Sequence, residues 1–309
     1  MSASGASTPE QAALLLRRAT LASVSVALIL IVSKAIAWWM SGSVALLASL
    51  LDSMMDGGAS LVTLLAVRYS LTPADAEHRF GHGKAEALAG LGQAVFITLS
   101  GLFLLYEGVN RVLNPTPVSA TGVALAVMLL SVLLTILLVR YQRHVVRRTG
   151  STAIAGDALH YVSDLAMNLA IIGAIIAAHF GYLRVDAVVA LLIGAWILYA
   201  AWQIGYEAVQ LLLDRELDDA LRQQISAVIA AQPGVLGFHD LRTRQSGRTR
   251  FIQVHVELDG ALRLDQAHTR IVEVGDAIRT AVPGAEVIIH ADPVEATRAD
   301  LIPRQENAE

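Results

Sequence analysis

Two pairs of ionisable side chains stand inside apolar stretches of this sequence. One is Asp52-Ser-Met-Met-Asp56, the other His160-Tyr-Val-Ser-Asp164. Each pair is spaced i,i+4, which sets both side chains on one face of a helix, a turn apart. Ionisable groups are costly in a bilayer and usually mark an ion or proton pathway. Three carboxylates and one imidazole form a four-ligand set suited to a divalent first-row cation. The chemistry implied is binding and passage of a metal ion inside a membrane. Asp157 lies near one end of the His160 segment and reads instead as a solvated surface carboxylate, as do Glu107, Asp186 and Glu207 near other segment ends.

Two further groups have ligand chemistry. Asp75-Ala-Glu-His78-Arg-Phe-Gly-His82 places two histidines and an aspartate within eight residues of loop-like sequence, close enough to hold one ion. The adjoining Gly81-His82-Gly83-Lys84 lacks the glycine spacing and the Ser/Thr of a phosphate loop. The last third of the chain carries His239, His255, His268 and His290, with Asp292 beside the last. With no cysteine anywhere, thiolate metal sites, disulfides and cysteine nucleophiles are excluded.

The elements that must position these groups are long and apolar. Of 309 residues, 55% are hydrophobic and 16% charged, with a mean hydropathy of +0.55, where a soluble domain carries about 25% charge. A membrane-crossing helix needs about 20 mostly apolar residues. Six segments qualify, at 14–40, 44–69, 87–113, 119–141, 152–179 and 183–207. Turn chemistry separates them: Ser41-Gly42-Ser43, Thr72-Pro73, Asn114-Pro115-Thr116-Pro117, Thr149-Gly150-Ser151 and Phe180-Gly181. Asp56 and Asp164 then fall near the middles of spans two and five. Arg17-Arg18 with Ala35-Ile36-Ala37 also fits a cleavable leader, but the apolar run continues into Trp38-Trp39-Met40, which reads better as an interfacial belt.

Basic residues give the orientation. Arg17, Arg18, Arg68, Arg79, Lys84, Arg140, Arg143, Arg147 and Arg148 collect on one side, Arg111 and Arg184 on the other. The positive-inside rule makes the first side, and both termini, cytoplasmic. Residues 1–207 carry 12 basic against 11 acidic side chains, and 208–309 carry 11 against 16. The last third is therefore acidic, and it has no bilayer-length apolar run. No basic stripe or aromatic platform suggests nucleic acid.

The expected order of that last third is αββαβ, a small open sandwich of ferredoxin-like type. Leu217, Leu221, Ile225, Val228 and Ile229 form a helical stripe, and Ala267, Ile271, Val274 and Ile278 a second. A strand through Phe238 and Leu241 turns at Ser246-Gly247 into a strand that alternates strictly. Ile252, Val254, Val256 and Leu258 lie on one face, Gln253, His255 and Glu257 on the other. Pro283-Gly284 leads to Val287-Ile288-Ile289. The domains expected are a flexible 1–13, a six-helix transmembrane domain at 14–207, a metal-binding and dimerisation domain at 208–292, and a disordered tail at 293–309.

At these residues the chain resembles the cation diffusion facilitator family. The stretches that carry the resemblance include Ala37-Trp38-Trp39, Leu51-Asp52-Ser53, Val67-Arg68-Tyr69-Ser70-Leu71, Phe80-Gly81-His82-Gly83-Lys84-Ala85-Glu86, Leu159-His160-Tyr161, Gly205-Tyr206-Glu207-Ala208-Val209-Gln210 and His239 through Gly247. The resemblance implies a homodimer in a bacterial inner membrane that exchanges cytoplasmic zinc, ferrous iron or cadmium for protons, with no enzymatic activity and no catalytic cofactor. It implies a transport site at Asp52, Asp56, His160 and Asp164, and a loop site at Asp75, His78 and His82. A cytoplasmic site near the dimer contact would use His239, His255, His268, His290 and Asp292. Lys84 and Asp214 match a charge pair that ties the two domains together across the dimer. One departure is Ala291, where relatives carry Gln. A side-chain oxygen lost there would weaken a second cytoplasmic ion, whereas a carbonyl ligand would survive.

Two other functions compete. An intramembrane hydrolase would need a pattern such as His-Glu-x-x-His or Gly-x-Ser-x-Gly, and neither occurs. A membrane metal sensor without net transport is the alternative, although a sensor has no need of ligands at mid-membrane.

Overall fold

The computed structural model describes residues 9–41, 44–113, 122–179 and 185–295. The expected turns at 42–43, 114–117 and 180–181, and the chain past 295, lie outside them. The chain divides into two compact units, Met1–Leu212 and Leu213–Glu309.

The first unit is helical: α1 (Pro9–Ser41), α2 (Val44–Ser70), α3 (Lys84–Leu113), α4 (Gly122–Thr149), α5 (Thr152–His179) and α6 (Val185–Leu212). Among the described residues, four segments are long and apolar enough to cross a membrane: Glu10–Met40, Ser49–Ser70, Lys84–Asn110 and Ala126–Thr149. Several helices outrun the apolar segments that suggested them, whereas α5 matches its segment of 152–179. α1 starts at Pro9, a residue suited to a first helical position because it gives up no needed N–H. α4 continues through Arg140, Arg143, Arg147 and Arg148, good helix formers, and stops at Gly150, whose φ of +67° terminates it. α6 extends to Leu212, so the unit boundary falls after residue 212 rather than 207.

Close helix packing depends on glycine where α3 meets α6. A Cβ on Gly101 would sit 2.9 Å from Leu198 Cδ2, and one on Gly194 2.8 Å from Leu105 Cδ2. Small residues let membrane helices approach, since lipid-facing apolar surface gives no hydrophobic drive to associate. α5, which carries His160, packs among α3, α4 and α6 and touches α2.

The second unit runs α7 (Asp219–Ala230), β1 (Gly237–Ser246), β2 (Thr249–Leu258), α8 (Leu264–Ala281) and β3 (Ala285–Pro293). Asp218 caps α7 by accepting the Leu221 amide at 2.8 Å. β2 is the central strand, antiparallel to β1 and parallel to β3. Its alternation is as the pattern predicts. Ile252, Val254, Val256 and Leu258 are buried against Ile225 and Ile229 of α7 and Val274 and Ile278 of α8. That leaves His255 and Glu257 on the face away from the helices.

Candidate metal centres

The first centre joins α2 to α5. Asp56 projects from the middle of α2, and its Oδ1 lies 2.9 Å from His160 Nε2. The same nitrogen lies 3.6 Å from Asp164 Oδ2, one turn along α5. One ligand atom from each of the three can be chosen so that all lie within 4.8 Å of one another. At metal–ligand bonds of about 2.0–2.1 Å, neighbouring atoms of a tetrahedral shell are about 3.3 Å apart, close to the 2.9 and 3.6 Å that separate His160 Nε2 from the two carboxylates. Phe96 of α3 closes one side, its ring edge-on to the imidazole at 5.4 Å. Asp52 is not in the close group. It lines a cavity of about 330 Å³ together with Asp56, Asp164, Lys34, Ser49 and Ser53.

Asp157 corrects the sequence reading. It is fully buried rather than solvated. Ser23 of α1 and Gln142 of α4 donate to its Oδ2, the latter at 2.7 Å, and Ser60 of α2 donates to Oδ1 at 3.1 Å. Gln142 also donates to Ser23 at 2.8 Å, and Ser60 shares a hydrogen bond with the Tyr161 hydroxyl at 3.0 Å. One carboxylate thus ties four helices, which its place near a helix end did not reveal. Of the other residues read as solvated, Glu207 is exposed; the side chains of Glu107 and Asp186 lie outside the described residues. Asp157→Ala removes the acceptor shared by three buried donors, of which Gln142 and Ser60 keep a second partner, at about 1–3 kcal/mol for each group left without one. We expect the purified variant to melt several degrees below wild type, and an unchanged melting temperature would show the knot to be dispensable.

The loop between α2 and α3 forms the second group. Asp75 Oδ1 accepts the Glu77 and His78 amides at 2.9 and 2.6 Å. Those bonds, the His78 one foremost, hold its carboxyl below the usual carboxylate range against a smaller opposing effect of desolvation. His78 Nδ1 lies 3.5 Å from Oδ1 and His82 Nε2 3.3 Å from Oδ2. His82 is buried under Tyr69, with ring centroids 4.4 Å apart, whereas His78 and Asp75 are exposed. An ionised carboxylate between two imidazoles can hold a cation at this surface.

The third centre is a product of strand register. His239 pairs with His255 across β1 and β2, and His255 pairs with His290 across β2 and β3. The three rings therefore stack in a row, with centroids 5.1 and 4.7 Å apart. Asp292, two residues beyond His290 on the same face, reaches all three. Its Oδ2 is 2.8 Å from His255 Nδ1 and 3.5 Å from His239 Nε2, and its Oδ1 is 3.0 Å from His290 Nε2. A bulge follows His239, where Asp240 takes a φ of +49°, so the ladder shifts only after the histidine has been set in register.

Ligand atoms of His239, His255 and Asp292 lie within 4.8 Å of one another, His290 meets that group through Asp292 and the His255 ring, and His268 stands on α8, exposed, outside it. Glu257, not singled out in the sequence, accepts from or faces His239 Nδ1 at 3.1 Å. Its position two residues after His255, hence on the same face, was the available signal. Lys84 donates to the Leu212 carbonyl at 3.1 Å within its own unit, and Asp214 lies 3.3 Å from Arg244 within the other.

Residues 20–213 match the cation efflux transmembrane domain and residues 217–294 the cation efflux protein cytoplasmic domain. The chain is 51% identical over 291 residues to the cation-efflux pump FieF of Escherichia coli O127:H6, covering 94% of this chain and 95% of that one. It is 50% identical, with the same coverage, to FieF of Shigella flexneri serotype 5b. A solved structure of the putative zinc transporter CzrB in its zinc form is 28% identical and covers 26% of this chain and 94% of that one, with a TM-score of 0.26.

Proposed function

Because this chain belongs to the cation efflux family, we propose that it exports a divalent cation, zinc or a similar ion, in exchange for protons. The observation that carries this is the group of Asp56, His160 and Asp164 within a helical membrane unit, with His160 Nε2 at 2.9 and 3.6 Å from the two carboxylates. Asp52 would complete the shell from the cavity wall by a shift of its side chain. Imidazole nitrogen beside carboxylate oxygen suits zinc, cadmium or ferrous iron. In this reading all six long helices span a bacterial inner membrane, both termini are cytoplasmic, and the ferredoxin-like second unit brings two chains together as a homodimer. The loop and strand centres would bind the same ions at the cytoplasmic side, with His268 contributing where the fold or a second chain brings it near.

Metal binding requires ionised carboxylates and a neutral imidazole, so ions and protons compete for the same atoms. Protons arriving from outside displace the metal outward, and metal arriving from the cytoplasm displaces protons inward. Rocking of helices about the fixed site would expose it to each side in turn. The sensor reading predicts binding without flux. Zinc uptake into sealed vesicles containing the purified protein decides between them. We expect uptake that rises several-fold when the vesicle interior is made more acidic than the bath, and uptake indifferent to an imposed pH difference would end the antiport reading.

A further inference from the structure

The cavity shared by Asp52, Asp56 and Asp164 has a cation built into its wall. Lys34 stands in α1, six residues before Met40, where the membrane-crossing segment ends. A lysine so near a span end ordinarily snorkels to the interface. This one is 9% exposed, and its ammonium donates to Ser53 Oγ at 2.6 Å and to the Ser49 carbonyl at 3.1 Å. Both partners lie on α2. Ser53 is the residue after Asp52 and one turn before Asp56, so the anchors hold the charge beside the ligand carboxylates.

We propose that Lys34 is a tethered counter-cation of the transport site, matching its charge to a divalent ion. The inference rests on the transport reading of Asp52, Asp56, His160 and Asp164. Three ionised carboxylates, a neutral imidazole and one ammonium carry a net charge of about minus two. A divalent cation brings that set to neutrality, whereas a monovalent or trivalent cation leaves net charge in a low-dielectric site, which is costly. The ammonium has no lone pair to offer a metal. Lys34 therefore acts through its field, as a residue that sets specificity and residence time, and not as a ligand. Without it the occupied site keeps a negative charge, so the ion binds more tightly and leaves more slowly.

The test compares wild type, Lys34→Gln and Lys34→Arg as full-length protein in vesicles, with zinc equilibrium binding measured in detergent by competition with a fluorescent chelator. Lys34→Gln is expected to bind zinc about tenfold more tightly and to lower both KM and the maximal rate by a similar factor. Lys34→Arg, which keeps the charge, is expected to bring both back to within about threefold of wild type. A lysine that served only as a hydrogen-bonded strut would leave zinc affinity unchanged or weaker in Lys34→Gln, and that result overturns the proposal. Ser53→Ala gives a second reading that does not depend on how well Lys34→Gln folds. It frees the ammonium to pair with the carboxylates and should weaken zinc binding, and an unchanged affinity counts against the proposal. If no variant, wild type included, carries zinc, the transport reading fails, while tighter equilibrium binding by Lys34→Gln still upholds the charge match.

Discussion

Asp56→Ala is expected to abolish metal flux while leaving a folded protein. Its carboxylate provides the oxygen nearest to His160, at 2.9 Å, and no other acidic side chain among the described residues comes as close to that nitrogen; Asp164 is at 3.6 Å. Without it the imidazole and Asp164 hold at most half of a tetrahedral shell. Loss of even an outer-shell partner costs about 10–100-fold in metal affinity, so loss of a ligand should cut zinc uptake in vesicles by more than about 100-fold. Folding should survive, because Asp56 borders a cavity and removing it relieves repulsion among carboxylates. That separates it from Asp157, whose removal leaves donors stranded in a packed interior. Wild-type uptake by Asp56→Ala protein would rule out the proposed transport site between α2 and α5.

Asp292→Ala disassembles the strand centre. One carboxylate faces three imidazoles from three strands, with both oxygens engaged. Removing it leaves three imidazoles and Glu257 at the far side of His239. Zinc affinity of the C-terminal unit, followed by calorimetry, should fall by about 100-fold or more. Glu257→Ala, which removes only the group that orients His239, should cost about tenfold. Zinc should strengthen self-association of the wild-type unit, since a ligand that prefers the dimer shifts the equilibrium toward it, and Asp292→Ala should lose that effect in sedimentation. A variant that still binds zinc as tightly as wild type would dissociate Asp292 from the centre.

What the sequence determined about this protein is what local periodicity carries. An i,i+4 spacing puts Asp52 beside Asp56 and His160 beside Asp164 in whatever fold the helices adopt, because 3.6 residues make a turn. A strict two-residue alternation gives β2 one buried face and one face bearing His255 and Glu257. Both patterns are properties of a single segment, and the structure reproduces both. Matters of pairing between segments were decided only by the tertiary structure. Nothing in the surroundings of Asp157 in the chain announces that Ser23, Ser60 and Gln142 will converge on it, two of them from 97 and 134 residues away. Lys34 looks like an ordinary span-end lysine until α2 presents Ser49 and Ser53 to it. Asp52 and Asp56 share a helix face, yet only Asp56 meets α5, since a turn of about 5.4 Å separates them along the axis. The histidine row needs two registers at once, and a slip of one residue in either strand would turn a ring to the opposite face. Spacing within an element chooses which side chains can act together, and packing between elements chooses which of them do.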